Sequence, residues 1–459
     1  MDEPLAELQR SVREGIARSS VASCEVFAQH VDRGFARFSR GELEQHIAID
    51  ECKIMARAAV TTAEGTRLAT VLSTDASPDA IARTLRQAER VARVTPVCDG
   101  WPGFAQAKPA LSSRHSTIEP LGVGPRADRV AALLGETRAR GLLAAGALES
   151  SVQRAVIENT EGRSRAGITP FASCKVFALS SDGVSGFAQR TTRDVETLDG
   201  AALAREASEK CLAGADPMVL EAGEYDVILE PSAVVELLEW LAFTTFGARE
   251  FHDGSSAFAG KLGDKITGDR ITLVEAGDAP EGFALGFDRE GVDREPLVLI
   301  AQGRAERVVY DRLVGARHGV ESTGNSAPLA AFDDAPIAQA LTLLGGEETV
   351  ESLTAKVSRG LHISRFHYVN GFLEPRRTLM TGLTRDGTFL IERGERTRGV
   401  RNMRFTDSVF EAFGRCEGLT RALSAVPTWW SESGAFVAPT MLIRGLRFTG
   451  GGVEPPKGV

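Results

Sequence analysis

The apolar residues in the first half of the chain follow two patterns, one helical and one typical of strands. Near the N-terminus they repeat every three or four residues, which predicts an amphipathic helix containing Leu5, Leu8, Val12 and Ile16. A Ser-Pro-Asp sequence beginning at residue 77 has the capping hydroxyl, early proline and acidic residue of a helix start. Further helices are predicted over about 126–144 and over 199–213. Residues 21–75 and 151–191 have strand-like patterns, so strands and helices recur in the same order.

The pattern changes near Gly223, where a short apolar strand leads into Pro231 and a strongly apolar helix. After this helix the chain is mostly β, with hairpins predicted at 298–304 and 389–395. We therefore predict an α+β protein of two domains. Residues 1–220 form an N-terminal α/β domain whose repeated order suggests an internal duplication, and residues 221–459 form a mainly antiparallel β domain.

Composition narrows the possible functions. Of the 53 basic residues 45 are arginine, yet the net charge is −9 and the basic residues form no run, which argues against nucleic-acid binding. The acidic N-terminus has no apolar segment behind it, and no stretch approaches 18 apolar residues, so we expect a cytoplasmic protein without membrane contact. The six scattered cysteines include no C-x-x-C pair, so we expect reduced thiols.

Candidates for chemistry are few. The seven histidines include no H-E-x-x-H pair, and His362 and His367, five apart in a predicted strand, should point to opposite faces. Asp253 and Asp288 have the chemistry of general acids or bases, although solvated surface carboxylates are the more usual case. No residue of this chain is therefore assigned a catalytic role from its spacing alone.

Two glycine- and serine-rich segments, 254–263 and 319–326, could approach a ligand closely. The alternative is that both are ordinary tight loops. From them we predict residues of a substrate cleft or subunit interface, namely Gly254, Ser255, Ser256, Lys261, Thr323, Gly324 and Asn325.

Several segments together resemble the TldD/PmbA family, which was formerly called "modulator of DNA gyrase". They are residues 223–231, 255–263, 287–292, 319–325 and 383–394. The resemblance runs through nearly the whole chain and is strongest over about 221–325. It implies that the chain is one of two kinds of subunit, TldD or TldE (PmbA).

The TldD kind carries an H-E-x-x-x-H zinc motif on the helix after the Val-Ile-Leu strand. At these three positions this chain has Glu239, Trp240 and Thr244. The resemblance therefore implies a TldE-type subunit with no metal, no cofactor and no catalytic residue. Its partner would be a TldD-like zinc-bearing subunit, and the heterodimer would be a metallopeptidase that cleaves extended peptides or peptide precursors.

Two alternatives remain open from the sequence. The chain could be a pathway-specific hydrolase subunit in natural-product biosynthesis, as some pairs of this family are. It could also be a non-catalytic, homodimeric protein that binds a peptide or small molecule. A zinc-bearing partner distinguishes the heterodimer from the homodimer, and gene neighbourhood distinguishes a biosynthetic role.

Overall fold

The computed structural model of the protein describes residues 2–109, 119–276, 283–330, 333–429 and 434–450. Its N-terminal part contains the order helix, three strands, helix twice in succession. The first set is α1 (Glu3–Ser19), β1 (Cys24–Ser39), β2 (Glu42–Thr62), β3 (Gly65–Ser73) and α2 (Pro78–Ala92). The second set is α3 (Val123–Arg138), β4 (Leu143–Asn159), β5 (Ser164–Leu179), β6 (Ser185–Thr192) and α4 (Gly200–Ala213), with a 3₁₀ turn at Val195–Thr197.

These six strands form one antiparallel sheet in the order β3-β2-β1-β4-β5-β6. The first strand of each set lies at the centre, and the sets extend outward in opposite directions. Helices α1 and α2 pack together, as do α3 and α4. The two sets thus share one order of elements. This repeated order is the feature that suggested an internal duplication in the sequence.

Local sequence signals account for the helix boundaries. At α2 the Ser77 hydroxyl accepts the Ala80 N–H and Pro78 occupies the first turn, as predicted. Helix α3 ends at Arg138, earlier than the predicted 144. The reason is that Gly141 adopts a left-handed φ of 72° and the Leu142 N–H bonds back to the Thr137 carbonyl, which closes the helix before β4.

The C-terminal part is mostly β. Its helices are α5 (Pro231–Thr244), α6 (Ala248–His252), α7 (Arg312–His318), α8 (Val350–Ala355) and α9 (Val409–Gly414). A 3₁₀ turn lies at Pro375–Arg377. The strands are β7 (Gly223–Leu229), β8 (Leu273–Glu275), β9 (Leu297–Ala301), β10 (Arg304–Ala305), β11 (Ser326–Ala330), β12 (Asp333–Pro336), β13 (Leu341–Leu343), β14 (Arg359–Glu374), β15 (Leu379–Glu392), β16 (Glu395–Gly399), β17 (Arg404–Ser408), β18 (Cys416–Pro427) and β19 (Ala435–Gly450).

Five of these strands close on themselves in the ring β7-β14-β15-β17-β19, and β19 pairs again with β7. The β7–β14 pair is parallel and the other four are antiparallel. Helix α5 packs against β14 and β19, and most of its residues are buried. The architecture is therefore α+β, as predicted.

Both predicted hairpins are present. Strands β9 and β10 are joined by Gln302 and Gly303, and β15 and β16 by Arg393 and Gly394. All four turn residues have positive φ, the conformation that matches the twist of a two-residue hairpin. The six cysteines are free thiols, as expected, and no helix in the described ranges is long and apolar enough to cross a membrane.

A buried ionic cluster joins the two parts at the start of α5. Lys210 of α4 donates to Glu230 Oε2 at 2.7 Å, while His362 Nε2 lies 2.8 Å from Glu230 Oε1. The Ser364 hydroxyl donates to the same oxygen at 3.1 Å. Burial alone would raise the pKa of Glu230, but the charges and hydrogen bonds of Lys210 and His362 lower it well below the usual value. Glu230 is therefore held ionised between α4, α5 and β14.

Lys210→Met is expected to lower the free energy of unfolding by about 3 kcal/mol, because it removes a buried lysine from the partly buried Glu230 carboxylate. Lys356→Met is the matched control, since Lys356 pairs with Glu348 at the surface and should cost less than about 1 kcal/mol. Chemical denaturation at neutral pH measures both values. Equal losses in the two variants would contradict the importance of this cluster.

Candidate functional site

The main cavity, of about 700 Å³, lies between the N-terminal sheet and helix α5. Its sheet wall includes Arg33 and Phe35, which are two apart on β1 and therefore face the same side. The other wall is formed by α5, by Arg365 and residues 367–369 of β14, and by residues 426–429 at and just after the end of β18. A concave site between two packed layers is where ligands most often bind, so this cavity is the candidate site.

Two carboxyl groups from α5 face this cavity. Glu236 and Glu239 are three residues apart, which places them on one side of the helix. The Trp429 N–H donates to Glu239 Oε1 at 2.9 Å. Burial raises the pKa of both Glu236 and Glu239 to about 8. The charge of Arg365 lowers the pKa of Glu236, and the Trp429 hydrogen bond lowers that of Glu239, but burial has the larger effect in both cases. Both groups are therefore largely protonated at neutral pH.

Aromatic rings surround these carboxyl groups. Trp240 meets Phe372 edge to face at 4.9 Å between ring centroids, and Trp429 stacks on Phe243 at 5.7 Å. A Cβ at Gly371 would lie 2.8 Å from Trp240 Cβ, so β14 makes room for this indole with a glycine. Trp240 is thus fitted into the wall of the cavity as a packing residue.

Basic side chains also line the cavity, but two of them are paired. Arg33 donates to Glu149 at 2.7 Å. Arg365 lies 3.5 Å from Asp386 and stands over the Phe187 ring at 5.2 Å. His367 lies beside Arg365, and burial together with the charges of Arg385 and Arg365 lowers its pKa. His362, by contrast, is buried in the Glu230 cluster, so the two histidines of β14 have different environments.

The glycine- and serine-rich segments lie away from this cavity. None of the seven predicted residues, Gly254, Ser255, Ser256, Lys261, Thr323, Gly324 and Asn325, is among its described lining residues. Ser255 and Lys261 are exposed, whereas the Ser256 hydroxyl is buried and donates to the Thr245 carbonyl. Their role in a substrate cleft or at a subunit interface stays a prediction.

Asn325 and Asp288 organise buried loops. The Asn325 side-chain amide donates to Glu275 Oε1 at 3.0 Å and accepts from the Thr323 hydroxyl at 2.8 Å. Asp288 is not a solvated surface acid, because it is buried and accepts three backbone N–H groups, from Glu290, Val292 and Ser326. Both side chains therefore hold neighbouring backbone or side-chain groups in place through hydrogen bonds.

Sequence reasoning did not place Glu236, Arg365, His367 and Trp429 at this cavity. A signal existed for Glu236, since it stands one helical turn before Glu239 on a helix that is otherwise strongly apolar. No local pattern indicates the other three, because they reach the cavity through long-range strand pairing.

Comparison with known proteins identifies the family. The sequence model of the PmbA/TldA metallopeptidase C-terminal domain matches residues 222–450. The chain belongs to the TldD/PmbA family. The resemblance noted in the sequence is thereby confirmed, and the matched residues include α5 and the strand ring.

Curated relatives carry metalloprotease names. A metalloprotease TldD homologue of Haemophilus influenzae is 27% identical over 288 residues, covering 58% of this chain and 57% of the relative. A metalloprotease of Methanothermobacter thermautotrophicus is 23% identical over 245 residues, covering 52% of this chain and 51% of the relative. The match therefore spans little more than half the length of either relative.

Solved structures share the whole fold. TldE from Thermococcus kodakarensis superposes with a TM-score of 0.81 at 17% identity, over 97% of this chain and 99% of that one. A protein from Thermotoga maritima, described as a candidate modulator of a DNA gyrase, gives 0.81 at 16% identity over 96% and 99%. At these identities the likeness establishes the fold alone.

The three positions of the TldD/PmbA zinc motif hold contacts that do not suit a metal. Glu239 accepts the Trp429 N–H, Trp240 presents an indole ring, and the Thr244 hydroxyl donates to the Trp240 carbonyl at 2.7 Å. Across the described ranges, no group of three or more His, Cys, Asp or Glu residues is placed to hold a metal ion. The residues present at the motif therefore do not fit zinc.

The raised pKa values of Glu236 and Glu239 predict a pH-dependent effect of replacing both with glutamine. Carboxyl groups of the unfolded chain lose their protons near pH 4.5, whereas Glu236 and Glu239 keep theirs to about pH 8 in the folded chain. The contribution of this pair to the free energy of unfolding therefore decreases as the pH rises from 4.5 to 8. The double Gln variant mimics the protonated state. It should therefore exceed the parent in free energy of unfolding by more than about 1 kcal/mol at pH 8.

Denaturant titrations at pH 5 and pH 8 measure this difference, which should shrink towards pH 5. Other buried acids contribute equally to the free energies of unfolding of the parent and the variant, so their contributions cancel in the difference. A difference that is constant across pH, or that grows towards pH 5, would contradict the assignment of raised pKa values to this pair.

Asn325→Ala should lower the free energy of unfolding by about 1–3 kcal/mol, because it removes buried hydrogen-bond partners from Glu275 and Thr323. Ser255→Ala is the control from the other glycine-rich segment, where the exposed hydroxyl makes a single 3.3 Å bond to the Glu250 carbonyl. Thermal and chemical melts compare the two. An unchanged stability for Asn325→Ala would favour an interface role without structural importance.

Proposed function

We propose that this chain is a metal-free, TldE-like subunit of a heterodimeric TldD/TldE-type zinc metallopeptidase that cleaves extended peptides or peptide precursors. One observation carries the proposal. The chain belongs to a metallopeptidase family and has a cavity beside helix α5, but it has Glu239, Trp240 and Thr244 at the motif positions. Catalysis is then supplied by the partner, while this chain completes the cleft.

The contacts of the motif residues support a role without zinc. A general base must be able to take a proton, which the Trp240 indole does not do, and Thr244 directs its hydroxyl to its own helix. Zinc, which would polarise a peptide carbonyl or activate water, is expected in the TldD-like partner. No catalytic step is assigned to the residues of this chain.

The shape of the site supports a peptide as substrate. The cavity lies against the face of a six-stranded sheet, and exposed aromatic residues stand near its opening, including Tyr368, Phe372 and Trp429. Extended peptides commonly bind along strands and insert alternate side chains into pockets. A cavity with both carboxyl and basic groups can hold polar as well as apolar side chains.

Co-expression with a TldD-type subunit carrying H-E-x-x-x-H tests the proposal. We expect the two chains to co-elute in gel filtration and to cleave an unfolded peptide, with loss of cleavage on chelation and recovery on adding zinc. The chain alone should be inactive. Cleavage by this chain alone that survives a chelator would refute the proposal, as would a stable homodimer that ignores the TldD-type chain.

Two variants of the complex show which of the two chains carries the catalytic group. Replacing the motif glutamate of the partner with glutamine should abolish cleavage, because that residue is expected to be the general base. Thr244→Val in this chain should leave kcat within about a factor of ten, since the Thr244 hydroxyl bonds only to a carbonyl of its own helix. The opposite ranking would place the catalytic group here.

A further inference from the structure

We propose that the α5 wall of the cavity binds a basic side chain, lysine or arginine, of an extended peptide, with Glu236 and Glu239 as its carboxylate partners and Trp240 and Trp429 as its aromatic neighbours. That the ligand is a peptide rests on the proposed function. The site itself is argued from this chain alone.

The first observation is that two carboxyl groups face the cavity and neither forms a direct ion pair within the described part of the chain. Glu239 is 5% exposed and receives one backbone N–H, from Trp429, through Oε1. The cation nearest in effect to Glu236 is Arg365, which lies 3.5 Å from Asp386 and forms its ion pair there. A carboxylate removed from water is stabilised when a cation donates a hydrogen bond to it. A basic ligand would therefore be bound most favourably beside Glu236 and Glu239.

The second observation is the aromatic surface beside the carboxyl groups. Trp240 and Trp429 lie 6.5 Å apart between ring centroids, and Trp429 is 68% exposed although it is among the largest apolar side chains. Phe372, which packs on Trp240, is 66% exposed. Ring faces beside carboxylates attract ammonium and guanidinium groups, and their apolar area covers the methylene stem of lysine or arginine.

The third observation concerns the other charges that face the cavity. Arg33 is paired with Glu149 and Arg365 with Asp386, which reduces their repulsion of an incoming cation. Lys175 lies exposed on the sheet wall, and the pKa of His367 is lowered, so His367 is largely neutral at pH 7. The α5 wall therefore favours a cation, and the sheet wall does not.

A divalent metal ion fits this wall less well than an organic cation. Two carboxyl groups provide fewer ligands than a closed site requires, and no third ligating side chain is grouped with them in the described ranges. Hydrated metal ions also gain little from indole faces. The combination of carboxyl and aromatic groups is the kind used to recognise alkylated or primary ammonium groups.

Binding should release protons. Because burial holds the Glu236 and Glu239 pKa values at about 8 in the empty cavity, a cation must displace protons as it binds. Affinity for a basic peptide should then rise from pH 6 to pH 8. The other charged groups that line the cavity or act on the pair are Arg33, Glu149, Lys175, Arg365, His367 and Asp386. Loss of charge from His367 would raise affinity in the same direction, but that rise would persist in a variant with glutamine at both Glu236 and Glu239, whereas the rise due to the pair would be lost.

The test is calorimetric titration of the chain alone with short N-acetylated peptide amides that carry a central lysine, norleucine or glutamate. The lysine peptide should bind at least about tenfold more tightly than the norleucine peptide, the scale of one charge-assisted hydrogen bond. Its binding enthalpy should depend on the ionisation enthalpy of the buffer. A peptide with a free N-terminus and central norleucine separates recognition of a side chain from that of a terminal ammonium.

Variants complete the test. Glu236→Gln with Glu239→Gln should remove the preference for lysine over norleucine, whereas Glu209→Gln, an exposed acid of α4, should keep it. Equal binding of lysine and norleucine peptides by the parent chain would overturn the proposal, as would an equal loss in the control variant. Assembly with the zinc subunit is measured separately by gel filtration, so failure of this site and failure of the proposed function give different results.

Discussion

The ionised carboxylate of Glu230 is the contact on which the arrangement of the molecule depends. It stands where β7 ends and α5 begins, and it is bound by Lys210 from α4 and by His362 and Ser364 from β14. Without its partners a buried charge at this point would oppose folding. With them, it places the start of α5 against the N-terminal sheet and so determines where the cavity opens.

The cavity in turn gives helix α5 a role different from that of a metal-bearing helix. Its buried side packs on β14 and β19, while its other side presents Glu236, Glu239 and Trp240 to the cavity. Buried carboxyl groups beside indole rings can hold a ligand through hydrogen bonds and ring contacts. Under the proposed function, binding and chemistry would lie on different chains.

Much of the local structure could be predicted because its causes are local. The Ser77 cap, the apolar repeat of α1 and the Gln302-Gly303 turn each depend on neighbouring residues, and the structure contains all three. The closure of the ring by β7 and β19, and a cavity shared by β1, α5 and β14, depend on residues hundreds of positions apart. No periodicity carries that information, so Trp429 and His367 were not placed at the cavity.

The central claim is that this chain, unlike a zinc-bearing subunit, holds no catalytic metal on α5. Metal analysis of the purified chain, alone and in complex with a TldD-type subunit, tests it most directly. The account predicts no zinc in the isolated chain and zinc bound in the complex in proportion to the partner. Stoichiometric zinc in the isolated chain, lost on replacing Glu239, would contradict it.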